Sequence, residues 1–149
     1  MSPQQAVMDP SQAAIDAAKA PITAYSKKDW AAVKAALSPD FVYDEVATGR
    51  TVKGVEQAIT LWQGWAIALP DSAATFRNAV ANGNSVAIEL TWRGTHKGPL
   101  QGPKGTIQPT GKQIEIRAVQ VSELANGKVK STRHYFDMAT LFQQIGVNT

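Results

Sequence analysis

Side chains whose ordinary pKa lies near neutral pH are few in this 149-residue chain, which holds two histidines and no cysteine. One of them, His134, falls in the stretch Lys112–Asp137, KQIEIRAVQVSELANGKVKSTRHYFD. That stretch reads as two strands around the turn Ala125-Asn126-Gly127-Lys128, because Asn-Gly tolerates the positive φ values of a two-residue hairpin turn. On the return strand Thr132, His134 and Phe136 share one face, and Arg133 and Tyr135 take the other. An imidazole among apolar neighbours, with an ordinary pKa near 6.5, is suited to take a proton from an activated methylene near neutral pH. A second candidate group lies on the segment Phe41–Val46, where Phe41, Tyr43 and Glu45 share a face opposite Val42, Asp44 and Val46. If the two strands bring them onto one cavity wall, Glu45 would fix the tautomer of His134 or polarise a water, and Tyr43 would donate to a carbonyl oxygen.

Those residues need elements to hold them. Asp9-Pro10 gives an N-cap followed by proline at the first helical position. Ile15, Ala18, Ile22 and Tyr25 then repeat at helical spacing, so a helix is expected over about 10–26, kinked or split at Pro21. Asp29 opens a short second helix with Trp30, Val33 and Leu37 turned inward, stopped by Ser38-Pro39. A strand follows over Phe41–Val46, then a loop or short hairpin over Ala47–Lys53. A third helix is expected over about 54–69, with Val55, Ile59, Trp62, Ala66 and Leu69 in one stripe and Trp65 beside it. Ala73–Val80 and Ser85–His96 read as strands joined by Ala81-Asn82-Gly83-Asn84, and Lys97–Thr110, rich in Gly and Pro, as a long exposed loop. After the Lys112–Asp137 hairpin a last helix carries Met138, Leu141, Phe142 and Ile145 and ends at Gly146.

Three helices, a run of antiparallel strands and a terminal helix make an α+β order. So few helices cannot cover both faces of one sheet, so the expected solution is a curved sheet wrapped around the N-terminal helices, enclosing an apolar cavity. The uncovered face suits a second copy, hence a homodimer. The length fits one domain over 9–149 behind a loose arm at 1–8. Net charge is +3, but Lys and Arg are interspersed with carboxylates, so no nucleic-acid footprint is expected. No His/Asp/Glu group has ligand spacing, so no metal is expected. Met1–Asp9 lacks the basic and apolar regions of a signal peptide, and no run reaches the ~18 apolar residues of a membrane span. A cytoplasmic protein without a membrane partner is the expectation.

Several ordered motifs resemble those of the SnoaL-like polyketide cyclases: Gly94-Thr95-His96-Lys97-Gly98, Pro109-Thr110-Gly111-Lys112, Asn126-Gly127-Lys128-Val129, then Asp137 and Gln144-Ile145-Gly146. Phe41 with Gly49, Gly54 and Ala58 resembles the family's helix–strand–helix entry, and the resemblance covers roughly 15–147. It implies an NTF2-like α+β cone, usually dimeric, and an aldol ring closure of poly-β-keto esters by acid/base chemistry without metal or cofactor. The family's acid/base carboxylate falls at or near His134 or Asp137, and the two registers stay open. Epoxide hydrolases of the wider superfamily carry an Arg and an Asp at positions that match Leu90 and Trp92, with a second Asp at His134, so that activity is not implied. Ketosteroid-isomerase-like enzymes carry a base that matches Glu45, but their oxyanion-hole tyrosine falls on Pro21, which removes a major donor.

The expected function is therefore acid/base chemistry on a hydrophobic carbonyl compound, with His134 as base or acid, assisted by Glu45 and Tyr43. Trp92, Leu90, Ile116, Ala118 and Phe136 would form the apolar wall, with Trp62 and Trp65 contributed by the third helix. A titrating His134 would put an inflection in the rate between about pH 5 and 8. Each residue also has a plainer role: His134 as hydrogen-bonded structure, Glu45 as a surface carboxylate near a loop, Asp137 as an N-cap, His96 as a holder of the Gly-rich loop, and the aromatics as core. A cavity-bearing binding protein without turnover is the rival from another class.

Overall fold

The computed structural model describes residues 9–147, so the arm expected at 1–8 lies outside the described residues. Helix α1 spans Pro10–Ser26, and the Asp9 side chain accepts from the Ser11 N–H at its start. Proline contributes no N–H to the ladder, yet α1 runs through Pro21 unsplit, with that ring buried. Helix α2 (Trp30–Ala35) is capped by Asp29 and stops before strand β1 (Leu37–Glu45). β1 takes in Ser38-Pro39 and Leu37, four residues earlier than the sequence pattern places its start. A tight turn leads to β2 (Arg50–Lys53) and then α3 (Val55–Ala68).

Strands β3 (Ala73–Asn82) and β4 (Ser85–Thr95) form the next hairpin. Its turn residues are Gly83 and Asn84, one position later than an Asn-Gly turn would put them, and Gly83 takes the positive φ of 60°. The segment expected as an exposed loop instead holds a small hairpin, β5 (Leu100–Gly102) with β6 (Gly105–Ile107). Leu100 is the reason it folds inward: it is buried with Leu69, Ile114 and the last helix. The long strands β7 (Gln113–Ala125) and β8 (Lys128–Phe136) turn at Asn126-Gly127, both with positive φ, as a type I′ turn requires. Helix α4 (Met138–Gln144) closes the chain.

One six-stranded sheet has the order β2-β1-β8-β7-β4-β3. Every neighbouring pair is antiparallel except β1 and β8, which run parallel and place Glu45 opposite His134. Register shifts at Phe76/Asn78, Glu123/Leu124 and Leu37/Val42 interrupt the ladders. Such irregularities bend the strand that carries them and raise its twist, so the sheet curls around α1 and α3. Inward residues alternate with outward ones along β7, where Ile114, Ile116, Ala118, Gln120, Ser122 and Leu124 are buried. The outward face carries ion pairs such as Arg93–Glu115 and Arg133–Glu123. No helix of the described residues is long and apolar enough to cross a membrane.

The Gly94–Gly98 motif clamps the end of β4 onto the end of α3. The Lys97 and Gly98 N–H groups both donate to the Ala68 carbonyl. A Cβ on Gly98 would lie 2.0 Å from the Ile67 carbonyl oxygen, and one on Gly94 3.2 Å from Ser72 Cα. His96, between them, is fully buried; its Nδ1 accepts from the Thr110 N–H at 3.2 Å and so holds the far end of the loop. Burial lowers its pKa. Gly98→Ala is expected to destabilise the fold by about 1–3 kcal/mol, the usual range for forced overpacking. Gly64→Ala, in the interior of α3 with open space around its Cα, should stabilise by about 0.5–1 kcal/mol. Denaturant unfolding of the two variants checks the pair; equal effects of either sign would refute the clamp.

Candidate active site

β1 and β8 run side by side, and the period-2 alternation of each turns Tyr43, Glu45, Thr132 and His134 to the inner face. Over them α3 brings Trp62 and Trp65, and β4 brings Trp92. Together they border an apolar cavity of about 90 Å³, with Tyr43, Glu45 and His134 grouped at the polar end where β1 and β8 run side by side. Ile116 and Phe136 also line it, as the sequence pattern leads one to expect. Two expected wall residues do not: Leu90 and Ala118 are cross-strand partners embedded in the packed core around Ile22 and Phe41. Asp137 is elsewhere too. β8 ends at Phe136, and the exposed Asp137 carboxylate accepts from the Ala139 and Thr140 N–H groups and the Thr140 hydroxyl, capping α4. Those hydrogen bonds, first of all that from the Thr140 side chain, lower its pKa and commit it to the cap. Between the two registers left open for the acid/base position, the cavity holds His134.

The polar end has a definite direction. Trp92 Nε1 lies 3.1 Å from His134 Nε2. An indole N–H can only donate, so Nε2 must be the acceptor and the imidazole proton must sit on Nδ1. Nδ1 is 2.7 Å from Tyr43 Oη, which therefore accepts. The Tyr43 hydroxyl is left free to donate to Glu45 Oε2, at 3.4 Å. Donation thus runs from Trp92 through His134 and Tyr43 to Glu45, which only accepts.

Glu45 is not a surface carboxylate; its exposure is 0%. The reason is the set of donors around it. Arg50, its antiparallel cross-strand partner on β2, meets Oε1 through Nε at 3.0 Å and Nη2 at 2.6 Å. The Thr48 hydroxyl donates to the same oxygen at 2.5 Å, and Trp65 Nε1 to Oε2 at 2.9 Å. Desolvation, reinforced by the Glu45 charge, raises the Tyr43 pKa well above its ordinary value, so this phenol stays protonated. Desolvation lowers the His134 pKa to about 3, so its resting form is neutral.

Arg50, Thr48, Tyr25 and Ser72 are functional candidates that the sequence reading passes over. The sequence reading leaves 47–53 as a loop or short hairpin; the hairpin alternative pairs Glu45 with Arg50, so that residue had a partial signal. Tyr25 and Ser72 meet only in three dimensions, 2.7 Å apart at the cavity wall. Among the described residues no three His, Cys, Asp or Glu side chains gather as metal ligands would.

A curved sheet closed by N-terminal helices over an apolar hollow is the NTF2-like α+β cone. The SnoaL-like polyketide cyclase pattern matches residues 15–145, and the chain belongs to that family. Among solved structures, a candidate SnoaL-like polyketide cyclase from Jannaschia sp. CCS1 superposes with a TM-score of 0.83 at 20% identity, covering 97% of this chain and 99% of that one. IdmH from Streptomyces antibioticus, described as a candidate polyketide cyclase, gives 0.78 at 25% identity over 90% of this chain and 99% of its own. An epoxide hydrolase of the LEH-like type from M. tuberculosis gives 0.71 at 23% identity over 92% of each. No curated protein matches the chain in sequence.

The buried imidazole makes stability depend on pH. Folded, His134 stays neutral down to about pH 3; unfolded, it binds a proton below about 6.5. Between those values the unfolded chain holds more protons, so stability falls as pH drops through the window, by on the order of 5 kcal/mol in total. His96, also lowered, adds to the same slope. Urea unfolding of wild type and His134→Gln at pH 7, 6, 5 and 4 should give a steeper slope for wild type; parallel slopes would remove His134 as a buried neutral group.

Proposed function

We propose that this protein carries out acid/base chemistry on a hydrophobic carbonyl compound, of the aldol-cyclisation kind or a related proton transfer, with its own side chains as acid and base. The observation that carries this reading is the one-directional hydrogen-bond chain from Trp92 to Glu45 at the end of an apolar cavity. A carbonyl oxygen seated there would draw the Trp92 N–H away from His134 and free the Nε2 lone pair. Nε2 then takes the proton from the adjacent carbon, leaving an enolate that the indole N–H stabilises. As it does so, the Nδ1 proton passes to Tyr43 and the Tyr43 proton to Glu45. The imidazole is neutral before and after, which suits a site that disfavours its cation. The enolate carbon attacks a second carbonyl, and the resulting alkoxide recovers the proton through the same groups.

This relay changes the pH expectation. An ordinary histidine base would titrate near 6.5, whereas burial moves His134 to about 3, so the rate should be flat in this group from pH 5 to 8. The LEH-like activity remains disfavoured, since Leu90 and Trp92 occupy the positions of its charged pair. A second reading has a specific observation behind it: both ring nitrogens of His134 are engaged in the resting structure, as they would be in a pocket that only binds. Solvent deuterium incorporation into the methylene of methyl benzoylacetate, followed by NMR, separates the two. Catalysis predicts acceleration over buffer, lost by about 10²–10⁴-fold in His134→Ala and sharply reduced in Tyr43→Phe and Glu45→Gln. Binding seen as tryptophan quenching, with no acceleration by wild type, would establish the binding protein instead.

A further inference from the structure

The cavity has a second polar point, and Trp92 touches both it and the first. Trp92 bonds to His134 through Nε1, and its ring also meets Tyr25 edge-on, at 5.4 Å between centroids. Tyr25 Oη and Ser72 Oγ, both cavity-lining and nearly inaccessible, lie 2.7 Å apart. Two hydroxyl groups carry two protons, and their mutual bond uses one. Among the described residues the other proton has no acceptor. In an apolar hollow an unmatched donor is costly, and the cost is relieved by an acceptor oxygen brought in by a ligand.

The pair is also rigid. Lys28 Nζ donates to the Ser72 carbonyl at 2.5 Å and sits 4.6 Å from the centre of the Tyr25 ring. Gly94, with no side chain, lets β4 pass close against Ser72. Burial raises the Tyr25 pKa to about 12, which keeps this hydroxyl protonated. Donors fixed in advance lose little on binding.

Resting on the reading that the His134 end takes the reacting carbonyl, we infer that Tyr25 and Ser72 form a second anchor that donates to a neutral carbonyl or ether oxygen at the opposite end of the same ligand. The substrate class is thereby narrowed to an apolar, ring-sized compound with oxygen functions at both ends. A ligand with a single oxygen function would satisfy one pole and strand the other.

The test uses methyl benzoylacetate and its para-acetyl analogue, with dissociation constants measured by tryptophan quenching. Wild type is expected to bind the acetyl compound about tenfold more tightly. In Tyr25→Phe with Ser72→Ala the ratio of the two constants should fall to near one, whereas Ser72→Ala alone leaves the Tyr25 hydroxyl to donate and keeps the preference, with folding checked by thermal unfolding. The ratio is internal to each variant, so a general loss of affinity does not mimic the result. A wild-type ratio near one, or a preference that survives in the double variant, overturns the anchor. Because the ratio comes from binding alone, full deuterium exchange by His134→Ala would remove the proton-transfer reading and leave the anchor standing. A flat ratio with wild-type exchange intact does the reverse.

Discussion

A fully buried carboxylate, Glu45, sets the terms for the rest of this site. Removing such a charge from water costs several kcal/mol, and the cost is tolerable only when the oxygens are saturated with donors. Here the donors come from two separate elements: Tyr43, Thr48 and Arg50 from the β1–β2 hairpin and Trp65 from α3. Each must be in place for the others to be worth having. The hairpin cannot open, α3 cannot rotate and β1 cannot slip by one residue without stranding a charge in apolar surroundings. A slip of one would also turn Tyr43 and Glu45 to the outer face. The carboxylate therefore fixes the register of the edge of the sheet on which the cavity depends.

From that fixed point the polarity of the site propagates. Glu45 accepts, so Tyr43 can spend its proton on it; Tyr43 then offers a lone pair to His134 Nδ1–H; and Trp92, which can only donate, completes the line at Nε2. A histidine beside a carboxylate alone could adopt either tautomer. The tryptophan removes that freedom. Its indole N–H also lies beside the nitrogen that the proposed chemistry needs, so one residue both protects the resting imidazole and is placed to meet an arriving carbonyl oxygen.

Much of the architecture was legible because it rests on local signals: alternation in β1, β4, β7 and β8, the Asp caps of three helices, and the Asn-Gly turn before β8. The inward face of His134, Tyr43 and Glu45 follows from parity alone. What was not legible depends on distant partners. The parallel pairing of β1 with β8 joins segments some ninety residues apart, and nothing in either segment announces it. Without it Glu45 looks like the polar end of a strand near a loop, which is why its burial was unforeseen. The β5–β6 hairpin was hidden for a different reason: Gly and Pro dominate that stretch, while the one residue that decides its fate, Leu100, is inconspicuous until its pocket exists. The misplacement of Leu90 and Ala118 has a third origin. Alternation tells which face a side chain takes, but a single inner face contains both packed core and cavity wall, and only the position of the covering helices divides them.

The same division explains why a chain so committed to stability in its charged corner leaves a hollow beside it. Close packing would fill the space between α1, α3 and the sheet if nothing prevented it. Three tryptophans, Trp62, Trp65 and Trp92, hold the walls apart, and two of them are committed through their N–H groups, Trp65 to Glu45 and Trp92 to His134. Their rings cannot swing inward to close the gap without breaking a buried hydrogen bond. The hydrogen-bond chain that orders the proton carriers is thus also what keeps the cavity open, and loss of Glu45 should loosen two walls as well as remove a proton acceptor. A ligand that draws Trp92 off His134 replaces one partner of the indole with another and leaves Trp65 in place, so the site can exchange a resting hydrogen bond for a reacting one without collapsing.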